Sequence, residues 1–352
     1  MPRMAIETTF NGRRAVSLEN DKLRVTVLPG GGHIAEVHDK ATGVNPLWVP
    51  PWTSIEPSQF DAARHRDYGD GVDAPLLAGI SGHNLCLDIF GGPSEDEARA
   101  GLPVHGEASS ADYDVRGGGS ALTARARLPL AGLEVERELE LRGRAVWIRE
   151  TVRNTGGADR PIGWTQHVTL GPPFLEKGRT EFRASLTRSR VFESAFGADD
   201  YLTAGADFDW PNAPRIAGGS ADLRRFSSAP ASGAYTAHLT DPGRAHAFFV
   251  AFSPSSRLAF GYVWRRADFP WMGIWEENMS RSSAPWNSRT LTRGMEFGVS
   301  PFPETRREMV ERGRLFDTPT FRWIPADSEV SVEYWCVAGD AERIPETLEW
   351  PA

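Results

Sequence analysis

Apolar and polar positions alternate along most of the chain with a period of two. Leu23, Val25 and Val27 lead into Pro29-Gly30-Gly31-Gly32, and Ile34 and Val37 follow. Successive side chains of a strand point to opposite faces, so this predicts a strand, a tight turn and a returning strand. Leu133, Val135, Leu139 and Leu141 alternate with Glu134, Glu136, Glu138 and Glu140. Arg142-Gly143-Arg144 then turns the chain, and Val146, Ile148 and Val152 return. The pattern predicts a hairpin with one acidic solvent face. Arg137 interrupts the apolar series, which predicts that the opposite face is not wholly buried. Val330, Val332, Tyr334 and Cys336 form another alternating strand. Helical periodicity is confined to 304–314 and to the acidic stretch 94–100 after Pro93. Gly117-Gly118-Gly119 and Gly156-Gly157 read as hairpin loops, and 217–233 as a long surface loop. Many strands, few helices and no linker-like block or internal repeat predict one large antiparallel sandwich or barrel spanning 1–352.

Composition agrees with that class. The 35 Gly and 26 Pro are spread throughout, as many short strands and turns require. The net charge of −8 argues against nucleic acid as a partner. With only Lys22, Lys40 and Lys177, few lysines are available for Schiff-base chemistry or phosphate binding. Cys86 and Cys336 sit in apolar strand-like runs and read as two buried free thiols, with a disulfide left open and no spacing for a metal site. Met1–Gly12 has no apolar signal core, and no apolar run approaches membrane-spanning length. The expectation is a soluble cytoplasmic protein with no membrane partner. Nothing in the chain signals an oligomeric state.

One strand stands out chemically. In Arg293-Gly294-Met295-Glu296-Phe297-Gly298-Val299, the apolar residues share one face, and Glu296 shares the other with two glycines. A glycine within a strand often marks a close approach by something else. Glu296 therefore reads as a carboxylate in a cleared lane, against the plainer reading of an exposed Glu. Two histidines have similar settings. His105 lies in Pro103-Val104-His105-Gly106; taken alone, it reads equally as a turn histidine with no role. His167 shares a strand face with Gly163, Thr165 and Thr169, a small polar face that suits either a cavity wall or solvent. Two imidazoles and a partly dry carboxylate suit proton transfer near neutral pH. Trp264, Trp271, Trp275 and Trp286 offer flat apolar surfaces for sugar C–H faces, with at least half expected in the core. Glu276 and Glu277 read as solvent-facing or loop residues. His33 and His38 read as exposed. His83-Asn84 is a candidate for the same cleft as the other histidines. The run Asp67–Asp73 reads as an acidic surface loop, since it lacks the full spacing of a calcium loop. No phosphate loop, dinucleotide fingerprint, nucleophile elbow or zincin motif is present.

The ordered set Val104-His105-Gly106, Thr165-Gln166-His167-Val168 and Gly294-Met295-Glu296 ahead of Pro301-Phe302-Pro303 resembles the aldose 1-epimerase (galactose mutarotase-like) family. The early strand pair with its glycine-rich turn, Leu23 to Val37, is similar as well. The resemblance spans nearly the whole chain and implies an all-β, large antiparallel β-supersandwich. It implies an aldose as the small-molecule partner and anomer interconversion as the activity. Glu296 would be the general base at the anomeric hydroxyl and His167 the general acid at the ring oxygen. His105 would hydrogen-bond the sugar and stabilise developing charge. No metal or cofactor is implied. The sequence also departs from the family. Its Asn-Arg pair has no counterpart, since the comparable region reads His83-Asn84-Leu85. His167 lacks the usual Asn before it and aromatic after it. The substrate-binding Asp has none either beyond Asp207 or Asp209, which precede Trp210-Pro211. The expected substrate contacts are therefore His83, Asn84, Asp209, Trp271 and Trp286. The alternatives are a sugar-binding protein of the same fold without catalysis, or a carbohydrate lyase or hydrolase using Glu296 with an acid partner.

Overall fold

The computed structural model describes residues 6–351. Met1–Ala5, part of the segment read for a leader, lie outside the described residues. Two antiparallel sheets of 12 and 8 strands pack face to face. The centre of the larger sheet runs in the order Ile34–Asp39, His83–Asp88, Arg160–Leu170, Leu291–Gly298, Trp271–Asn278, Ser232–Thr240. The smaller sheet places Glu329–Asp340 between Leu258–Arg265 and Ala145–Asn154, with Leu133–Arg142 next. Their apolar faces meet in one core that joins Val25, Leu87, Trp164, Met295 and Phe297 to Leu122, Val135, Ile148, Phe260 and Tyr334. Burial of such faces is the main favourable term in folding. It also fixes register, because a slip of one residue would turn each strand inside out.

The alternating stretches are strands, as their periodicity predicts. In Leu133–Arg142 the apolar positions are buried, and the glutamates between them are partly exposed. The two helical stretches also form, as Glu95–Arg99 and Arg306–Arg312. Each opens on a capping box, Ser94 with Glu97 and Thr305 with Glu308. A third helix, Ala74–Gly79, is too short and too uniformly apolar to show a period. The stretch 217–233 is less of a loop than its composition predicts. It contains the strand Ser220–Asp222 and buries Leu223 and Phe226, and from Ser232 the chain is in a long strand. Cys86 and Cys336 are buried and free. Among the described residues, no helix is long and apolar enough to cross a membrane.

Arg137 overturns the expectation attached to it. It is only 2% exposed and lies in the inter-sheet core, where its guanidinium pairs with the fully buried Glu150 at 2.7 Å. The interrupted apolar face is buried after all, because the partner charge comes in on the neighbouring strand, at Glu150. His33 is likewise buried rather than exposed, and its Nε2–H donates to the Ser109 carbonyl at 3.0 Å. His38 is half-buried beside Glu36.

Candidate active site

Glu296 sits at the middle of the larger sheet, on the face turned away from the second sheet. Met295 and Phe297 point into the core, so Gly294, Glu296 and Gly298 must point the other way. The glycines serve a spatial need. A Cβ at Gly294 would collide with the Glu296 carboxylate. A Cβ at Gly273, directly across on Trp271–Asn278, would collide with the Tyr235 hydroxyl and approach Glu296 Oε2. The cleared lane is thus filled by the Glu296 and Tyr235 side chains.

His167 is the direct cross-strand partner of Glu296. Its Nε2 stands 3.1 Å from Glu296 Oε1, an approach without hydrogen-bond alignment that leaves Oε1 otherwise unpartnered. Nδ1 lies 3.0 Å from the Thr169 hydroxyl on the same strand face. His105 arrives from the loop after the helix Glu95–Arg99, and its ring centroid lies 5.1 Å from that of His167. Its backbone has φ +68, a conformation costly for a side-chain-bearing residue. The backbone is pinned there by His105 N–H to Gly91 O at 3.0 Å and Leu87 N–H to His105 O at 3.1 Å. The ring is pinned by Nδ1–H donating to Phe90 O at 2.5 Å. That bond fixes the tautomer and leaves Nε2 as an acceptor. Gly106 follows at φ +75 with no room for a Cβ against Leu87 O. Gly106→Ala is therefore expected to lower the melting temperature by several degrees; unchanged melting would refute this.

Burial governs the electrostatics. Glu296 is 2% exposed, and desolvation pushes its carboxyl pKa up to about 8. His167 is 5% exposed, and desolvation, then the neighbouring His105, holds its imidazole well below the usual range. Desolvation takes His105 down to about 4, against the upward pull of its bond to Phe90. Near neutral pH both imidazoles are therefore neutral, and the Glu296–His167 pair holds one proton between its members.

The three residues line one cavity of about 240 Å3. This is smaller than the roughly 300–1,000 Å3 of common small-molecule sites. Aromatic side chains dominate its wall: Phe90, Phe192, Phe196, Tyr235, Trp275 and Trp286. Trp286 is the one expected substrate contact that lines it, stacked on Trp48 at 6.1 Å between ring centroids. The other four lie elsewhere. His83 points into the inter-sheet core, donating from Nε2 to Gln166 Oε1 at 2.9 Å and accepting at Nδ1 from Tyr262. Its parity is opposite to that of Asn84. Asn84 is on the correct face opposite His167, buried with an unpartnered amide nitrogen, but it does not line the cavity. Trp271 is covered by Phe316, and its indole N–H donates to Pro319 O. Asp209 is exposed on an edge strand opposite Arg188.

Further cavity residues, outside the expected substrate contacts, come from the strand Trp271–Asn278 and the turn that follows it. Trp275 lines the cavity, and its buried indole nitrogen has no partner. Arg281 sits at the rim, its guanidinium 4.8 Å from the Trp286 ring centroid and 5.4 Å from that of Trp275. Glu277, expected in solvent, is buried and orders this turn. It accepts from Ser280 N–H and Oγ–H, both at 2.7 Å, and from Arg281 N–H at 3.1 Å. Glu276 is also buried and accepts from Ser232 Oγ–H at 2.6 Å. Asp73, the last residue of the acidic run, reaches the cavity rim as well. A useful signal was the position of Arg281 between Trp275 and Trp286 in the tryptophan-rich segment. Among the described residues, no cluster of three or more His, Cys, Asp or Glu is placed to hold a metal ion.

No protein-family model matches the sequence, and no curated protein matches it. Solved structures do. A provisionally assigned aldose 1-epimerase from Klebsiella pneumoniae superposes with a TM-score of 0.66 at 12% identity, over 94% of this chain and 80% of that one. A galactose mutarotase-like protein from Clostridium acetobutylicum gives 0.60 at 12% identity, over 96% and 98%. A galactose mutarotase related enzyme from Lactobacillus acidophilus gives 0.58 at 14%, over 94% and 99%. Identities this low speak for architecture alone. Sheet order, strand direction and these superpositions agree that the chain has the galactose mutarotase-like fold, a large antiparallel β-supersandwich.

Proposed function

We propose that the chain binds one aldose ring in this cavity and interconverts its anomers by acid–base ring opening. The observation that carries the reading is the Glu296–His167 pair, registered across adjacent strands, 3.1 Å apart, and walled by aromatic rings. One proton on the pair is the right number for the reaction. When that proton passes from Glu296 to His167, the pair becomes a carboxylate and an imidazolium. The carboxylate takes the proton of the anomeric hydroxyl while the imidazolium delivers its own to the ring oxygen. The bond from C1 to the ring oxygen breaks, and the carbonyl at C1 forms. Rotation about C1–C2 and reclosure on the other face return both protons. His105, neutral and anchored through Nδ1, offers Nε2 to a sugar hydroxyl. The small volume supports a single ring, and Trp275 and Trp286 supply faces for its C–H surfaces.

The test is exchange NMR of anomer interconversion across a panel of aldoses. Acceleration of at least one aldose is the expected result; none across the panel would overturn the proposal. The pH profile is a second check. Glu296 loses the pair's only proton as pH rises through about 8. That leaves a base with no acid partner, so kcat/KM is expected to hold through neutrality and fall above about 8. A profile that instead rises through pH 8 would assign the work to ionised Glu296 alone.

A further inference from the structure

The cavity does not end at its rim. A wider surface cleft of about 1260 Å3 adjoins it, and Asp73 and Trp286 line both. Three chain segments pass from one wall to the other. Asp73 to Pro75 border the cleft, and Leu76 and Leu77 border the cavity. Leu102 and Pro103 border the cleft, and Val104 and His105 the cavity. Arg281 borders the cavity, Ser283 and Ala284 the cleft, and Trp286 both. The two spaces form one continuous depression with a narrow deep end and a broad shallow end.

Resting on the anomer-exchange reading, we propose that the substrate is the reducing end of a longer saccharide, with its further sugar rings lying in the cleft. The chemistry sets the direction. The anomeric carbon and the ring oxygen must reach Glu296 and His167, both buried in the cavity wall. In a six-membered sugar ring, C4 is the corner opposite C1, so the C4 oxygen faces the rim where Asp73 and Trp286 stand. A substituent there passes directly into the cleft. The cleft is lined as a saccharide site is. Phe60, Val72 and Leu130 give apolar surface, and the last two are largely exposed. Arg66 and Asp70 line it with no side-chain hydrogen bond or ion pair to a described residue, which leaves them free for hydroxyls. A free monosaccharide would use none of this surface.

The experiment measures anomer exchange by NMR for glucose against maltose and cellobiose, and for xylose and galactose against their 1,4-linked disaccharides. The expected result is a kcat/KM at least about tenfold higher for a 4-linked disaccharide than for its parent. In the double variant Arg66→Ala/Asp70→Ala that ratio should fall towards one. Parent sugars turned over as well as their disaccharides would overturn the cleft assignment and leave the anomer-exchange reading intact. If no sugar is accelerated, the anomer-exchange reading falls, and calorimetry judges the cleft on binding alone. Tighter binding of cellobiose or maltose than of glucose would then support it, and equal or weaker binding would overturn it.

Discussion

Glu296→Gln is expected to slow anomer exchange by about 10²–10⁴-fold, the range for loss of a general acid–base group. Glutamine preserves shape and the neutral charge that Glu296 carries at pH 7, so KM for the same sugar should change little. A rate near that of the wild type in exchange NMR would remove Glu296 from the mechanism. The same substitution carries a stability signature of definite sign. The carboxyl has its ordinary pKa of 4.5 when unfolded and about 8 when folded. Between those values the folded chain holds a proton that the unfolded chain has released, so stability falls as pH rises. The contribution is complete below about 4.5 and lost as pH passes through 8. A shift of this size corresponds to a free energy on the order of 3–5 kcal/mol. Glutamine does not titrate. The variant should therefore melt above the wild type at pH 9 and differ much less at pH 5. Catalytic carboxylates held in dry sites commonly trade stability for activity in this way. A melting difference that does not change between pH 5 and pH 9 would show that Glu296 is not desolvated as its burial indicates.

Strand parity made most of this site legible, and its failures have physical causes. The alternation of Met295, Phe297 and Val299 against Gly294, Glu296 and Gly298 placed Glu296 correctly, because the core fixes which face is inward. The same rule, applied within His83–Asp88, separates His83 from Asn84: His83 shares parity with the core residues Leu85 and Leu87, and Asn84 has the opposite parity. Register adds only that Asn84 lies opposite His167. Arg137 misled for a long-range reason. A charge in an apolar series means exposure only if no partner is buried with it, and Glu150 arrives on the next strand. Trp271 and Trp275 share a face and are equally spaced about Gly273, opposite Glu296. What separates them is tertiary. The turn ordered by Glu277 brings Arg281 and Trp286 over Trp275, while the segment at Phe316 and Pro319 covers Trp271.

Glu150→Met is expected to destabilise the fold by about 3–5 kcal/mol, the cost of leaving a buried charge without its partner. Glu150 lies at the centre of the inter-sheet network. It accepts from Arg137 Nε–H at 2.7 Å, Trp164 Nε1–H at 2.9 Å and Gln166 Nε2–H at 2.6 Å. Tyr334 Oη stands 2.8 Å from it and 2.9 Å from Gln166 Oε1, sharing one proton between them. Removing Glu150 strands the indole and amide donors and leaves Arg137 with only Gly32 O at 2.9 Å and Gln166 Oε1 at 3.4 Å. Arg137→Met should cost less, because Glu150 then keeps three neutral donors. The double variant Arg137→Met/Glu150→Met removes both charges, so it should recover part of the loss of Glu150→Met alone. Denaturant midpoints for the three variants would measure the ordering. If Arg137→Met proved the most damaging, the network would not be organised around the carboxylate. The effect should reach the site as well. Gln166 is bonded to Glu150 on one side of the sheet, and the next residue, His167, faces Glu296 on the other. The strand that loses its inner anchor is the one that sets the 3.1 Å approach between His167 and Glu296. Glu150→Met should therefore lower kcat for anomer exchange even at temperatures where the variant remains folded, and a folded variant with an unchanged kcat would confine Glu150 to stability alone.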